Sequence, residues 1–315
     1  MTLHASGNFH YGSMQAYDVI IVGGGAAGLS AALLLGRARR SVLVCDAGKP
    51  RNWASNALHG FISREGMNPA ELLVKTRQEL QRYPTVRLIR DTAIDASREG
   101  DRFVVTMADN GRATGRKLLL ATGIADEVPA LEGIDAFYGK SVHHCPYCDG
   151  WEHRDEPIAV YGGREKGAKF ALMMKQWSAD IVLCTDGMPL PSAPTRAQLD
   201  ANGIPVWRTK IQRLEGTGHQ LERIVFVDGQ VLPRRAMFFT IGQHQRSSLF
   251  QRLGVTVGSK GGLKARWPSC CTEADGVYVA GDASRDVQLL IVAAAEGACA
   301  ALAINKALLA EDGLG

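Results

Sequence analysis

Val19-Ile20-Ile21-Val22-Gly23-Gly24-Gly25-Ala26-Ala27-Gly28 is the stretch that decides the fold. A short apolar run stops at Gly23-x-Gly25-x-x-Gly28, and an Ala/Leu-rich helical stretch follows to about Gly36. The next apolar run, Ser41-Val-Leu-Val-Cys-Asp46, ends on an acid 18 residues after Gly28 (46 − 28). Strand, glycine turn, helix and strand make a βαβ opening. Each glycine answers a separate demand: the tight turn, close approach of backbone to a pyrophosphate, and close packing of helix on strand. The helix N-terminus offers N–H groups and a positive dipole to phosphates, and Asp46 is placed to bind an adenosine ribose. A tight turn without a ligand is the alternative for the glycines alone. Strand, helix and acid falling in register favour the nucleotide.

Outward from this stretch the same plan recurs. A helix is expected near Pro69–Arg82, opened by Asn68-Pro69. Residues 86–121 alternate as antiparallel strands with a turn at Asp109-Asn110-Gly111 and end in Leu118-Leu-Leu-Ala-Thr122-Gly123. Ile158-Ala-Val-Tyr161, Gly162-Gly163, a helix and Asp180-Ile-Val-Leu-Cys184 form a second βαβ opening. Hairpins near Gly216 and Asp228-Gly229 lead to Met237-Phe-Phe-Thr-Ile-Gly242. Gly276-Val-Tyr-Val-Ala-Gly281-Asp282 and a long apolar helix close the chain. The fold class is α/β, with two Rossmann-like (three-layer ββα) nucleotide-binding domains. Residues 1–16 read as a flexible tail.

The 315 residues carry 36 basic and 32 acidic side chains, a formal net charge of +4, which gives no pull toward nucleic acid. Arg37-Ala-Arg39-Arg40 sits where a helix ends, a position cations favour for dipole reasons. No basic segment followed by an apolar core marks a signal peptide at the N-terminus. Leu289–Leu309 is long enough to span a bilayer, but Glu296, Asn305 and Lys306 interrupt it and a buried helix fits better. No membrane is expected as a partner. Seven cysteines are an odd number and too few for a disulfide scaffold, so a cytoplasmic location is expected, where a paired Cys motif points to redox or metal chemistry.

His143-His144-Cys145-Pro-Tyr-Cys148-Asp149 carries that chemistry. Two cysteines three apart close and reopen a small disulfide, and their thiolate is the nucleophile of exchange. A zinc knuckle of His143, His144, Cys145 and Cys148 is the competing reading. Adjacent histidines seldom both face one metal, and no second ligand pair follows at finger spacing, so a catalytic dithiol is favoured and no metal is expected. Asp149 can shuttle the proton that exchange needs; as a plain residue it is a turn former before Gly150. Gly281-Asp282 favours a flavin over NAD, because the acid can hydrogen-bond a ribityl hydroxyl or phosphate and the helix beyond can point at the ring. Ala121-Thr122-Gly123 completes that constellation.

These motifs, in this order from about Tyr17 to Leu309, resemble low-molecular-weight thioredoxin reductases. The resemblance implies FAD in a discontinuous first domain, residues 17–127 and 237–311. The second domain, residues 128–236, is inserted into it and carries the dithiol. Cys148 would face the flavin as the charge-transfer thiolate, Cys145 would attack the partner disulfide, and Asp149 would be the acid–base residue. Gly23, Gly25, Gly28, Asp46, Thr122, Gly123, Gly281 and Asp282 would hold the cofactor, with Gln288 by the pyrimidine edge. A homodimer and a thioredoxin-like protein partner are implied as well.

The second glycine motif departs from the family's G-x-G-x-x-A. It reads Gly162-Gly163-Arg164-Glu165-Lys166-Gly167, with a long side chain where pyrophosphate needs bare backbone. The family's His-Arg-Arg cluster for a 2′-phosphate is replaced by Thr185-Asp186-Gly187, and Asp186 would repel a phosphate. NADPH is therefore disfavoured as donor. The pattern is similar to pyridine-nucleotide-independent thioredoxin reductases, for which ferredoxin is a candidate donor. It is also similar to FAD-dependent oxidases that close disulfides in small dithiols with oxygen; Asp149 in place of the His common there favours the reductase side. A flavin-binding redox sensor without turnover is a third reading. Cys45, Cys184 and Cys299 read as packing residues; the vicinal pair Cys270-Cys271 beside Pro268 reads as two chance thiols near a loop, with a redox role as the alternative. His59 and Phe61 are candidate flavin contacts, His244 a candidate dithiol-site or hinge residue, and Trp151 is expected to pack beside the dithiol helix.

Overall fold

The computed structural model describes residues 15–284 and 287–314. Backbone contacts divide the chain into two compact units: residues 1–51, 70–125 and 244–315 in one, residues 52–69 and 126–243 in the other. The first unit opens with β1 (Gln15–Val22), α1 (Ala26–Arg37), β2 (Val42–Cys45), α2 (Pro69–Leu80) and β3 (Val86–Ile89), followed by β4 (Ala93–Glu99), β5 (Arg102–Met107) and β6 (Arg112–Leu120). β3, β2, β1 and β6 pair in parallel, while β4, β5 and the start of β6 run antiparallel. Residues 86–89 are thus a third parallel strand rather than part of the antiparallel insert. This strand is the half-buried edge of the sheet, paired on one side only with β2. The strand before the glycine turn begins at Gln15, two residues inside the expected tail; the rest of that tail lies outside the described residues.

The chain leaves through β7 (Ile124–Asp126) and enters the second unit. There it forms α3 (Ile134–Phe137), β8 (Val142–His143), α4 (Pro146–Asp149), β9 (Ile158–Tyr161), α5 (Arg164–Met174), β10 (Ile181–Cys184), α6 (Ala193–Ala201) and β11 (Val206–Trp207). An antiparallel sheet of β12 (Ile211–Thr217), β13 (Gln220–Phe226) and β14 (Val231–Pro233) precedes β15 (Ala236–Phe239). The parallel sheet runs β11-β10-β9-β15-β8. Because β15 lies between β9 and β8, residues 237–243 belong to the second unit, and the expected return at 237 moves to 244. Residues 52–69 also join this unit: Lys140 Nζ donates to Ala54 O and to Asn56 Oδ1, both at 2.5 Å.

The chain returns through β16 (Gln243–Gln245), which pairs with β7, then α7 (Leu249–Arg252), β17 (Val277–Val279) and α8 (Leu290–Glu311). β17 pairs with the C-terminal half of β6, completing the first sheet. Helix α8 is apolar and long enough to cross a membrane by length and composition alone. In the first unit, one face of it, including Ala293, Ala300, Ala301, Ile304 and Leu308, is packed in one core cluster with α1. Gly297 makes the close contact there, since a Cβ at that position would lie 2.0 Å from Ala27 O. Arg40 fixes the far end, bonding Asn305 Oδ1 at 2.8 Å and Asp312 Oδ2 at 2.6 Å.

Candidate active site

In the first unit the predicted cofactor residues converge at the carboxyl ends of β1, β2, β6 and β17, where open α/β sheets bind ligands. Gly23 has φ 116°, and a Cβ there would sit 2.1 Å from Ala121 O. A Cβ on Gly28 would lie 1.9 Å from Gly23 O, so α1 seats directly on the turn. Gly25 differs: an added Cβ would meet no described atom within 4 Å. Gly25 also N-caps α1 without a side-chain hydrogen bond, leaving the helix dipole and first N–H groups for an anion.

Asp46 is buried at the end of β2, where it accepts from Gly48 N at 2.9 Å and pairs with Arg77 at 2.6 Å. Asp282 pairs with Arg51 at 2.8 Å. Gly281, at φ 76°, passes close to α1, where a Cβ would lie 2.9 Å from the Ala27 methyl. Thr122 and Gly123 follow β6, with Gly123 at φ 65° and its carbonyl accepting from Arg246 N. Gln288 is half-buried just ahead of α8. In sequence, Glu296 is only an interruption of an apolar helix. Its buried carboxylate accepts from Gly281 N at 2.7 Å and Ser284 Oγ at 3.2 Å and so holds the Gly281-Asp282 turn. An acid inside an apolar helix was the available signal, since such a group is buried only when paired.

In the second unit, Cys145 and Cys148 are joined as a disulfide across α4, with Cα atoms 5.3 Å apart. Cys145 is the N-cap of this one-turn helix and Pro146 its first residue, a placement proline favours. Gly150 is required where α4 meets Trp177: a Cβ there would lie 2.9 Å from the indole. Tyr147 packs edge-on against the same ring, with centroids 5.5 Å apart. Trp177, not Trp151, therefore packs beside the dithiol helix. Trp151 is 66% exposed, with the Arg154 guanidinium 4.3 Å above its ring. Asp149 Oδ1 lies 3.2 Å from His143 Nδ1, and His144 Nε2 lies 3.6 Å from Asp126. His59 is paired within this unit, to Glu65 at 2.5 Å and Glu152 at 3.6 Å, and His244 is exposed on β16.

The remaining cysteines are packing residues. Burial pushes the Cys45, Cys184 and Cys270 thiols up to about 12, which leaves them protonated and unreactive. Cys299 packs against the α1–α8 core.

A family model, pyridine nucleotide-disulphide oxidoreductase, matches residues 17–297. The chain belongs to that family. A protein of Arthroderma benhamiae described as a probable thioredoxin reductase is 30% identical over 309 residues, covering 87% of this chain and 76% of its own length. The thioredoxin reductase of Mycolicibacterium smegmatis is 28% identical over 313 residues, 95% of this chain and 99% of that one. The crystal structure of HlmI superposes with a TM-score of 0.91 at 34% identity, covering 96% of each chain. The protein is an FAD-dependent disulfide oxidoreductase of the thioredoxin reductase type. The first unit's residues fit FAD: the space over Gly25, the uncapped start of α1 and the acids at the strand ends are what a dinucleotide needs.

Proposed function

We propose that this protein passes an electron pair between FAD and a disulfide or dithiol partner through Cys145 and Cys148, and that its donor is not NADPH. Bound at the first glycine turn, FAD supplies two-electron redox chemistry. The chain's own residues perform the exchange. Opening a partner disulfide requires the Cys145 thiolate to attack one partner sulfur, forming a mixed disulfide and releasing one partner thiolate. The Cys148 thiolate then attacks Cys145 Sγ, the intermolecular S–S bond breaks, and the second partner sulfur leaves as a thiolate. Asp149 gives a proton to a leaving thiolate and recovers it when the dithiol is oxidised again.

The exclusion of NADPH is carried by one observation, the loop that lies on the second glycine turn. Arg164 N, at the start of α5, donates to Pro189 O at 2.7 Å, and a Cβ on Gly163 would fall 2.6 Å from Met188 Cβ. Glu165 fastens the same loop, accepting from Ser192 N and Thr195 Oγ1, both at 2.6 Å. The helix terminus that would meet a pyrophosphate is thus covered by the chain itself. Asp186, where an adenosine ribose would be bound, accepts from Tyr161 OH at 2.8 Å and Ile211 N at 2.7 Å. Calorimetric titration with NADPH and NADH tests this: no heat of binding is expected up to millimolar nucleotide, and a micromolar Kd for either would overturn it. A thioredoxin-like protein is the favoured partner, on the strength of the named relatives and of Asp149 after the second cysteine.

A further inference from the structure

Four positions stand in a row along the carboxyl edge of the first unit's sheet. Asp46 follows β2, the Gly23–Gly25 turn follows β1, Thr122 and Gly123 follow β6, and Gly281-Asp282 follows β17. The strand order β2-β1-β6-β17 fixes their sequence in space. With an adenosine ribose at Asp46 and a ribityl chain at Asp282, the pyrophosphate falls between them, over the glycine turn and the start of α1.

One segment of the chain crosses the same ground. Residues 46–51 leave the end of β2, yet Arg51 Nη1 donates to Asp282 Oδ2 at 2.8 Å, at the end of β17 and so beyond both β1 and β6. Arg246 ties the segment down on the way. Its guanidinium donates to Lys49 O, and its backbone N–H donates to Gly123 O at the end of β6. The Arg51 and Asp282 side chains are 17% and 20% exposed, so the pair is partly shielded from water and salt. Gly281, the neighbour of Asp282, lies against Ala27 in the first turn of α1. The Arg51 cation is thereby brought to the positive end of that helix.

The charges around the glycine turn explain what the cation is for. Asp46 has Arg77 as its partner, at 2.6 Å, and Asp282 has Arg51. A pyrophosphate is a dianion, and an uncompensated Asp282 carboxylate at its side would repel it. A guanidinium presents five N–H donors in a planar fork, which suits it to serve a carboxylate along one edge and a phosphate along another. We infer that Arg51 is a cofactor-binding residue whose guanidinium takes the flavin-side phosphate of FAD, and that Asp282 is the acid that aims it. The inference rests on FAD occupying the first glycine turn. It gives the site a preference for a diphosphate over a monophosphate.

The test is a calorimetric titration of the full chain freed of FAD, with FAD, ADP and AMP as ligands and the weak ones measured by displacement of FAD. ADP carries both phosphates; AMP lacks the flavin-side one. The unsubstituted protein should bind ADP more tightly than AMP. Arg51→Gln should weaken FAD and ADP alike, by about 10–10²-fold, the worth of one charge-assisted hydrogen bond, and leave AMP unchanged. Arg51→Lys keeps the charge without the fork, and its losses should lie between the two proteins. Equal affinity of the unsubstituted protein for ADP and AMP overturns the inference. So does undiminished ADP binding by Arg51→Gln, whether or not FAD binding falls, because Arg51 then does not touch the phosphate. An equal loss for all three ligands overturns it as well, since it marks a structural role for segment 46–51. An unsubstituted protein that binds no FAD is a different failure: there the FAD reading of the first glycine turn falls, and Arg51 with it.

Discussion

The two inner glycines of the first turn make opposite predictions. Gly25→Ala places a methyl where no described atom lies within 4 Å, at φ −82°, a conformation alanine adopts freely. The protein without cofactor should keep its stability within about 0.5 kcal/mol, the usual range for a substitution that disturbs nothing. FAD should suffer, because the methyl occupies the approach of the pyrophosphate to the α1 N–H groups. Loss of one or two charge-assisted hydrogen bonds, at about 1.5–3 kcal/mol each, amounts to roughly 10-fold to 10⁴-fold in Kd. Gly28→Ala behaves differently. Its Cβ would lie 1.9 Å from Gly23 O, so backbone must move by more than an ångström. Overpacking of this kind costs about 1–3 kcal/mol, so this variant should melt several degrees lower with or without FAD. The assay is thermal unfolding of both apoproteins followed by flavin fluorescence quenching on titration with FAD. Unimpaired FAD binding by Gly25→Ala, or a destabilised Gly25→Ala apoprotein, would refute the placement of the pyrophosphate over Gly25.

Other consequences follow from single contacts. After reduction, iodoacetamide at pH 8 should label Cys145 and Cys148 well ahead of Cys45, Cys184 and Cys270, whose thiols are held near 12; mass mapping of the adducts checks this. Glu296→Ala leaves the Gly281 N–H without its carboxylate, a cost of about 1–3 kcal/mol; both Tm and FAD affinity should drop, as calorimetry and flavin titration would show. His153 has its pKa lowered by burial, so the unfolded chain binds the proton more readily than the folded one. Its contribution to stability should be full above pH about 6.5 and fall as pH drops below it. His153→Phe should flatten that acid limb in a series of melts from pH 7.5 to 5.

Much of the first site was legible because its chemistry is backbone chemistry. Gly23 and Gly28 sit where any Cβ would strike backbone, and such a demand shows in a single sequence; Gly25 is left open for a ligand. The Cys145–Cys148 spacing was equally readable, since one helical turn brings the two sulfurs together. Tertiary partners were not. Glu296 reaches across to Gly281 N, 15 residues away in sequence, and nothing in its own helix says so. His143 and His153 are ten residues apart and meet because β8 and the turn after α4 are both laid against Phe238. An apolar strand carries no mark of which sheet it enters, so in sequence residues 237–243 read as part of the first domain; the pairing of β15 with β9 and β8 decides otherwise. Trp151 and Trp177 are both plausible neighbours of α4 by composition, and only the contact at Gly150 selects Trp177.

The central claim is that electrons reach and leave the flavin through Cys145–Cys148 and not through a pyridine nucleotide. An anaerobic titration that follows the flavin's visible absorbance tests it most directly, with dithiothreitol, NADPH and NADH added separately to the unsubstituted protein and to Cys145→Ser. The account predicts that dithiothreitol bleaches the unsubstituted protein, that Cys145→Ser bleaches far more slowly, and that neither nucleotide bleaches either. Rapid bleaching by NADPH or NADH, or a Cys145→Ser protein reduced by dithiothreitol as fast as the unsubstituted one, would contradict it.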